Sequence, residues 1–258
     1  MTETEKGICR LCLVPVMCEP SFHSLQLSEL LFGEHYEVLE ASDDKKWIKV
    51  KIHFDGVVGW ILKVHFYGIT QEYFEQINHS DYKVCTDLTA NIFFKKHYLN
   101  ILIGSVLPIS TNELFKIEEQ LAFNGNSKSL GQRRDYGFLR EILQKYMYSP
   151  YRAGARSPYG IDDIGLVQQV YRMVGYPVPR NLKQLAATGD QVDSWSESKP
   201  GDLLVWSVKD EIKAGINIGE EQAVIVTDSV KIVNIDDKGL TSEMRDGQLV
   251  AVRRILKM

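Results

Sequence analysis

The sequence predicts an α+β protein in which one or two small all-β barrels precede a domain that places helices ahead of an antiparallel sheet. Two observations lead to this prediction. Up to about residue 66, apolar and polar residues alternate in short runs, which is the period of a half-buried strand. After Asp135, apolar residues recur at spacings of three and four, and strand-like runs return after Pro200-Gly201-Asp202. Helices followed by a block of strands indicate the α+β class.

The first barrel is predicted over residues 1–70. Residues 34–40 and 47–52 alternate, and residues 57–61 complete the set after a tight turn at Asp55-Gly56. Clusters of Asp, Gly and Ser separate these runs, as they do between antiparallel strands. A helix is disfavoured because apolar residues do not recur at spacings of three and four.

A connector and a second barrel are predicted over residues 71–132, with residues 67–82 as the connecting segment. Glycine, proline and asparagine punctuate the short apolar runs in this region, which is typical of strands joined by turns. The candidate strands are residues 91–94, 99–103, 114–117 and 120–123.

The third domain is predicted over residues 133–258 and begins with two amphipathic helices. The first ends at Ser149-Pro150 and the second at Gly175, because residues before proline and glycines past a helical run both favour termination. Their apolar faces consist of Phe138, Leu139, Ile142, Leu143 and Tyr146, and of Leu166, Val167, Val170, Tyr171 and Val174. The candidate strands that follow are residues 203–206, 214–218, 223–226, 230–235 and 249–255.

Composition excludes several classes of function. The formal net charge is −4 and no strongly basic run occurs, so a nucleic-acid partner is not expected. No apolar stretch reaches the length of a membrane span. The polar, acidic start does not resemble a secretory signal, so we expect a cytoplasmic protein if Met1 is the native start.

No cofactor and no metal are expected. Cys9 and Cys12 have the spacing of half a zinc site, but no second pair has suitable spacing, so the four cysteines are interpreted as free thiols. The acidic residues of the third domain are interpreted as helix caps or solvated carboxylates.

The positions of histidine and cysteine carry the most information about chemistry. All six histidines and all four cysteines precede residue 98. Nucleophilic catalysis by a Cys/His pair therefore cannot be assembled from the third domain alone.

The third domain resembles the NlpC/p60 family of papain-like cell-wall cysteine peptidases. The resemblance is carried by Pro150-Tyr151 and by residues 160–172, 174–176, 179–180, 200–204 and 214–219, which occur in the family's order. Residues 19–20, 31–34, 47–50 and 59–61 resemble bacterial SH3-like (SH3b) domains. Together they resemble gamma-D-glutamyl-L-diamino-acid endopeptidases, which act on peptidoglycan stem peptides with a free L-Ala amino end.

The departures from the family's pattern imply lost catalysis. The family places its nucleophile in Asp-Cys-Ser-Gly at a helix start, and this sequence has Asp162, Asp163, Ile164 and Gly165 there. A helix N-terminus stabilises a thiolate, whereas a carboxylate at that point acts as a cap. The resemblance further aligns the general-base His with Lys213 and the third polar residue with Ile225. All three catalytic positions are thus occupied by residues unable to perform Cys/His/His chemistry.

The resemblance also implies that two ligand-holding residues survive. Tyr151 and Asp162 match positions that bind the substrate's free amino end in the endopeptidases, and a carboxylate with a phenol can hold an ammonium group. The alternative interpretation is that Asp162 only caps the helix and Tyr151 only packs.

Three hypotheses for function follow. The first is a catalytically inactive homologue that binds a cell-wall peptide fragment or a protein partner. The second is a hydrolase of cell-wall peptides that uses Asp163 or Lys213 without a cysteine. The third is a structural or assembly protein that acts through its SH3-like barrels.

Overall fold

The computed structural model describes residues 5–94, 96–107, 122–209, 211–244 and 246–257. Its chain divides into two compact units. The first comprises Met1–Gln132 with Ala153–Ala155, and the second comprises Arg133–Arg152 with Arg156–Met258. The residues predicted to form the two barrels lie in the first unit. The second barrel, and the limits proposed from sequence at residues 70 and 132, stay predictions.

An antiparallel sheet of seven strands begins the first unit. Its strands are β1 (Lys6–Ile8), β2 (Leu13–Met17), β3 (Gln26–Leu31), β4 (His35–Ala41), β5 (Trp47–Ile52), β6 (Val58–Leu62) and β7 (Gly68–Ile69). They lie in the order β3-β2-β6-β5-β4-β1-β7. Alternate residues such as Val14, Val16, Val50 and Ile52 face one apolar core. The small all-β region predicted from alternation is confirmed.

The predicted turn at Asp55-Gly56 joins β5 to β6. Asp55 Oδ1 accepts a hydrogen bond of 3.0 Å from the N–H of Val57. Gly56 has a φ of +71°, in the left-handed region that glycine adopts without steric cost. These two residues therefore set the reversal that pairs β5 with β6.

Among its described residues, the rest of the first unit contains a helix and five short strands. These are α1 (Gln71–His79), β8 (Lys83–Cys85), β9 (Thr89–Phe94), β10 (His97–Leu102), β11 (Ala122–Asn124) and β12 (Ser127–Ser129). They form two small sheets, of order β10-β9-β11 and β12-β8. The candidate strand at residues 114–117 lies outside the described residues. Helix α1 was not predicted from the sequence, because only Phe74 and Ile77 of its nine residues are buried.

The second unit contains the predicted pair of long helices. Its helical and hairpin elements are α2 (Tyr136–Tyr146), β13 (Arg156–Ser157), β14 (Gly160–Ile161), α3 (Asp163–Met173) and α4 (Leu182–Leu185). Helix α2 starts at Asp135, whose Oδ1 accepts a hydrogen bond of 3.1 Å from the N–H of Phe138. Helix α3 is the centre of the unit, because every residue from Gly165 to Met173 is buried.

A six-stranded antiparallel sheet completes the second unit. Its strands are β15 (Asp190–Val192), β16 (Leu203–Val208), β17 (Glu211–Gly219), β18 (Gln222–Val226), β19 (Val230–Asn234) and β20 (Gly247–Arg254). They lie in the order β15-β20-β16-β17-β18-β19. Leu204, Trp206, Ile225 and Val252 belong to one apolar cluster on this sheet. The helices-then-sheet order confirms the predicted α+β class.

Two further observations concern the described residues. None of their helices combines the length and apolarity that crossing a membrane requires. The four cysteines form no disulfide with one another, and of these Cys9 and Cys85 are buried, Cys12 is half-buried and Cys18 is exposed. Burial raises the pKa of the Cys9 thiol to about 12.

Candidate functional site

The candidate site begins at Asp162, which is the N-cap of α3. Its backbone is extended, and its Oδ1 accepts a hydrogen bond of 2.6 Å from the N–H of Gly165. The carboxylate satisfies an amide that has no partner within the helix and lies at the positive end of the helix dipole. The helix start that the sequence predicts is therefore held by this side chain.

The second oxygen of Asp162 is engaged as well. Its Oδ2 lies 2.7 Å from Nη2 of Arg180, and the two side chains are only 12% and 6% exposed. An incoming ammonium group would compete with a guanidinium already in place. The observed contacts fit the capping role of Asp162, and ligand binding by this residue stays a prediction.

Asp163 is the first residue of α3 and is buried. Its Oδ2 accepts a hydrogen bond of 2.9 Å from the backbone N–H of Ala214 in β17. Pairing of β17 with β18 begins at the next residue, Gly215. The Asp163 side chain thus accepts a hydrogen bond from the β17 residue that lies just before the β17–β18 pairing begins. This bond joins the start of α3 to the sheet.

The surroundings of Asp163 change its acidity. Burial raises the pKa of the carboxyl, and the nearby charge of Asp162 acts in the same direction. The hydrogen bond from Ala214 and the charge of Lys213 oppose this rise without cancelling it. The net pKa is raised, because the ionised form is poorly solvated at this position.

Lys213 precedes Ala214 in β17, and its Nζ lies 2.7 Å from Oε2 of Glu211. Burial lowers the pKa of the Lys213 ammonium, but the hydrogen bond to Glu211 and the negative charges of Asp163 and Glu211 outweigh it. The net pKa is raised. Lys213 is therefore a cation at neutral pH and does not have the depressed pKa that a lysine base requires.

Ile225 in β18 is fully buried in the apolar cluster of the sheet. A Cβ atom placed on Gly215, its partner in β17, would lie 2.9 Å from Ile225 Cγ2. The side chain fills this space and offers neither a donor nor an acceptor. It cannot orient or polarise a neighbouring group.

Tyr151 is 45% exposed and lies on the segment that leads to β13. Its backbone N–H donates a hydrogen bond of 2.8 Å to the carbonyl of Asp228, and it forms a parallel bridge with Ile161. Its phenol interacts electrostatically with Lys213, as does Asp163. The structure thus places Tyr151 and Asp163 around the same lysine.

This arrangement offers hydrogen-bonding groups to a ligand but neither a thiol nor an imidazole. It presents a carboxyl of raised pKa, an ammonium and a partly exposed phenol, all of which form hydrogen bonds. The sequence has neither cysteine nor histidine after His97, so the second unit supplies no thiolate and no imidazole. Because this unit contains no cysteine, no residue of it can form a covalent acyl intermediate on sulfur.

Arg180 belongs to the site, although the sequence analysis gave it no role. It lies 18 residues after Asp162 and precedes α4, so no periodicity connects the two. The available signals were its place in Pro179-Arg180, one of the segments that resemble the family, and its charge in an otherwise uncharged loop, and neither specifies a partner.

Two family models match the chain. A model described as the bacterial dipeptidyl-peptidase Sh3 domain matches residues 16–65, and the NlpC/P60 family model matches residues 148–253. A curated relative, the gamma-D-glutamyl-L-lysine dipeptidyl-peptidase of Bacillus subtilis (strain 168), is 24% identical over 248 residues. That match covers 88% of this chain and 80% of the relative.

Solved structures agree on the fold. An NlpC/P60 family protein from Bacillus cereus ATCC 10987 gives a TM-score of 0.79 at 16% identity, covering 98% of this chain and 100% of that one. An NlpC/P60 endopeptidase from Photobacterium damselae subsp. piscicida gives 0.68 at 16% identity, covering 95% and 70%. At these identities the likeness establishes the fold alone, while the family models assign the two regions. Residues 16–65 therefore form a bacterial SH3 domain, and residues 148–253 form a domain of the NlpC/P60 family.

Proposed function

We propose that the NlpC/P60 domain of this chain does not hydrolyse peptides and instead binds a cell-wall peptide fragment or a protein partner. The observation that carries the proposal is Asp163, which stands where the family resemblance aligns the nucleophile. Its buried carboxyl is engaged by the N–H of Ala214. A thiolate at a helix start attacks a carbonyl, whereas this carboxyl stabilises the junction between α3 and β17.

The other two aligned positions support the same proposal. A general base must be unprotonated at the working pH, and the raised pKa of Lys213 keeps it protonated. Ile225 is aliphatic and buried. Neither of these two aligned positions therefore supplies a proton acceptor to Asp163.

The ligand class is proposed from the curated relative, whose name describes action on gamma-D-glutamyl-L-lysine peptides. We propose L-Ala-gamma-D-Glu-diamino-acid peptides as the first ligands to test. Tyr151 is the partly exposed group best able to contact them, with Lys213 as a neighbouring cation. Asp162 would contribute only if Arg180 moved aside.

Calorimetric titration of the full chain with these peptides tests binding, and mass spectrometry of the same mixtures tests hydrolysis. We expect a binding isotherm that is weakened by Tyr151→Ala, with no cleavage products. The absence of both heat and thermal shift at millimolar peptide would eliminate the peptide ligand and leave a protein partner. Cleavage by the unmodified chain would overturn the proposal of inactivity.

One observation favours a second candidate, a hydrolase without a cysteine. The raised pKa of Asp163 makes its carboxylate a stronger base toward water than an ordinary carboxylate. Asp163→Asn removes the base while keeping an acceptor for Ala214. Cleavage by the wild type that disappears in Asp163→Asn would establish this candidate, and equal rates in both proteins would eliminate it.

A further inference from the structure

Strand β20 has an edge that is only partly covered. Strand β16 pairs with it from Gly247 to Arg253 on one side. On the other side β15 pairs only with Val252, Arg253 and Arg254. Among the residues that the structure describes, no strand pairs with the outer edge from Gly247 to Ala251. Backbone donors and acceptors along this edge therefore face outward.

A β-bulge explains why β15 stops where it does. Val205 of β16 is opposite Ala251, whereas the next residue, Trp206, is opposite Leu249, so Val250 is an extra residue in β20. A bulge bends its strand, increases the local twist and often ends pairing with a neighbour. The chain that follows β15 diverges from β20 beside this point.

The divergence opens a groove of about 410 Å³, which is within the usual range for ligand sites. One wall is β20 from Leu249 to Arg253, and the other includes residues 193–196. The turn that carries Asp237 and Lys238 also lines it. None of the lining residues belongs to the candidate site around Asp163.

The turn beside the groove is held in place. Asp236 Oδ1 accepts hydrogen bonds of 2.9 Å from the N–H of Lys238 and 2.8 Å from the N–H of Leu240. The carbonyl of Gly239 accepts a bond of 2.7 Å from Nε1 of the buried Trp206. The groove is thus formed by fixed backbone and does not need to be assembled on binding.

The open edge is also unusual in composition. Residues 247–252 read Gly-Gln-Leu-Val-Ala-Val, with no charge and no proline, and Val250 is 48% exposed. Natural edge strands usually carry charged residues or proline, which discourage further pairing. Among the described residues of this edge, the bulge is the feature that discourages further pairing. The charged side chains Asp193, Asp237 and Lys238 line the groove on other elements.

We infer that this groove binds an extended peptide segment, which adds as a strand to the outer edge of β20. Only an extended backbone supplies alternating N–H and C=O groups at the spacing of a ladder, which identifies the chemistry of the occupant. Residues 193–196 line the groove across from the edge, so a segment that adds to β20 would lie between the two.

Selection of a random dodecapeptide phage library on the immobilised full chain tests this inference. The expected result is a set of enriched peptides whose affinity falls at least tenfold for Val250→Lys, which places a long charged side chain in the groove. Val250→Thr keeps the β-branched shape and is the matched control, with affinity within about twofold of wild type. Enriched peptides that bind Val250→Lys as well as wild type would overturn the inference, as would a failure to enrich any.

A second measurement does not depend on the variant. An enriched peptide should slow amide hydrogen exchange within residues 248–251, and its copy with alternate N-methylated amides should not bind. Equal binding by the N-methylated copy would overturn strand addition. A concentration-dependent dimer in light scattering that Val250→Lys abolishes would instead assign the edge to a second copy, and would also overturn the inference.

Discussion

Arg180 Nη2 and Asp162 Oδ2 lie 2.7 Å apart, and this nearly buried ion pair joins the N-cap of α3 to the loop before α4. Removing one partner of a buried pair leaves a charge without compensation, which costs far more than the pair itself contributes. The pair therefore makes the helix start dependent on a residue 18 positions later.

We expect Arg180→Met to lower the free energy of unfolding by about 3–5 kcal/mol, the usual cost of breaking a buried pair. The double variant with Asp162→Asn should lose clearly less than the two single variants added together, because asparagine still caps the helix without a charge. Urea unfolding of the four proteins measures this coupling. Strictly additive losses would contradict the assigned ion pair.

Asp163→Ala should be destabilising because it removes the acceptor of the Ala214 amide. An unpaired buried N–H costs about 1–3 kcal/mol. Asp163→Asn keeps a side-chain oxygen and is the matched control, with a smaller effect expected at neutral pH. If Asp163→Ala and Asp163→Asn had the same free energy of unfolding in denaturant at pH 7, the hydrogen bond to Ala214 would not contribute to stability.

The raised pKa of Asp163 predicts a pH dependence with a definite sign. A carboxyl whose folded-state pKa is raised supports folding most fully below its ordinary value of 3.8, and this support is lost as pH rises through the folded-state value. The stability of Asp163→Asn relative to wild type should therefore increase as pH rises from about 4 to 7. Paired unfolding curves across this range provide the measurement. A difference that stays flat or falls with pH would contradict the direction of the shift.

Ile225→His tests whether an imidazole fits at the third aligned position. The side chain is fully buried among aliphatic neighbours, so a polar ring without a partner should cost about 1–3 kcal/mol. Ile225→Val removes only one methyl group and should cost about 0.5–1.5 kcal/mol. Thermal unfolding of both variants, compared at one pH, separates polarity from volume. A histidine variant as stable as the valine variant would mean that the cluster accommodates a polar ring.

Asp163→Cys alone should not produce a peptidase. The new thiol would stand at a helix start, but the residue aligned with the general base is Lys213, which is protonated and cannot accept the proton of the thiol. Mass spectrometry of L-Ala-gamma-D-Glu-diamino-acid peptides incubated with this variant should show no cleavage. Products above the wild-type background would mean that the site keeps a proton acceptor outside the aligned positions.

Much of this architecture follows from local patterns, and the remainder depends on contacts distant in sequence. Alternation predicted β4, β5 and β6, and helical spacing predicted α2 and α3. The spacing of the apolar residues was sufficient for α3 even though that helix is buried on all sides from Gly165 to Met173. Helix α1 has only two buried residues, Phe74 and Ile77, which is too short a pattern to recognise.

The sequence predicted which residues form the candidate site but not the hydrogen bonds and ion pair that they make. The family resemblance directed attention to Asp162 and Asp163, and a carboxylate before a helix predicted a cap. The partner amide at Ala214 lies 51 residues away and the guanidinium of Arg180 lies 18 away, so both contacts depend on tertiary packing. The groove beside β20 arises from a one-residue register shift between β16 and β20, and no sequence pattern predicted this shift.

Because the four cysteines differ in burial, one of them is suited to selective labelling with a dye. Cys18 is exposed directly after β2, and its N–H donates a hydrogen bond of 2.8 Å to the carbonyl of Leu25, which fixes the backbone there. Cys9 and Cys85 are enclosed, and burial raises the pKa of Cys12. A maleimide fluorophore should therefore attach first at Cys18, and would report on the SH3 domain without any engineered residue.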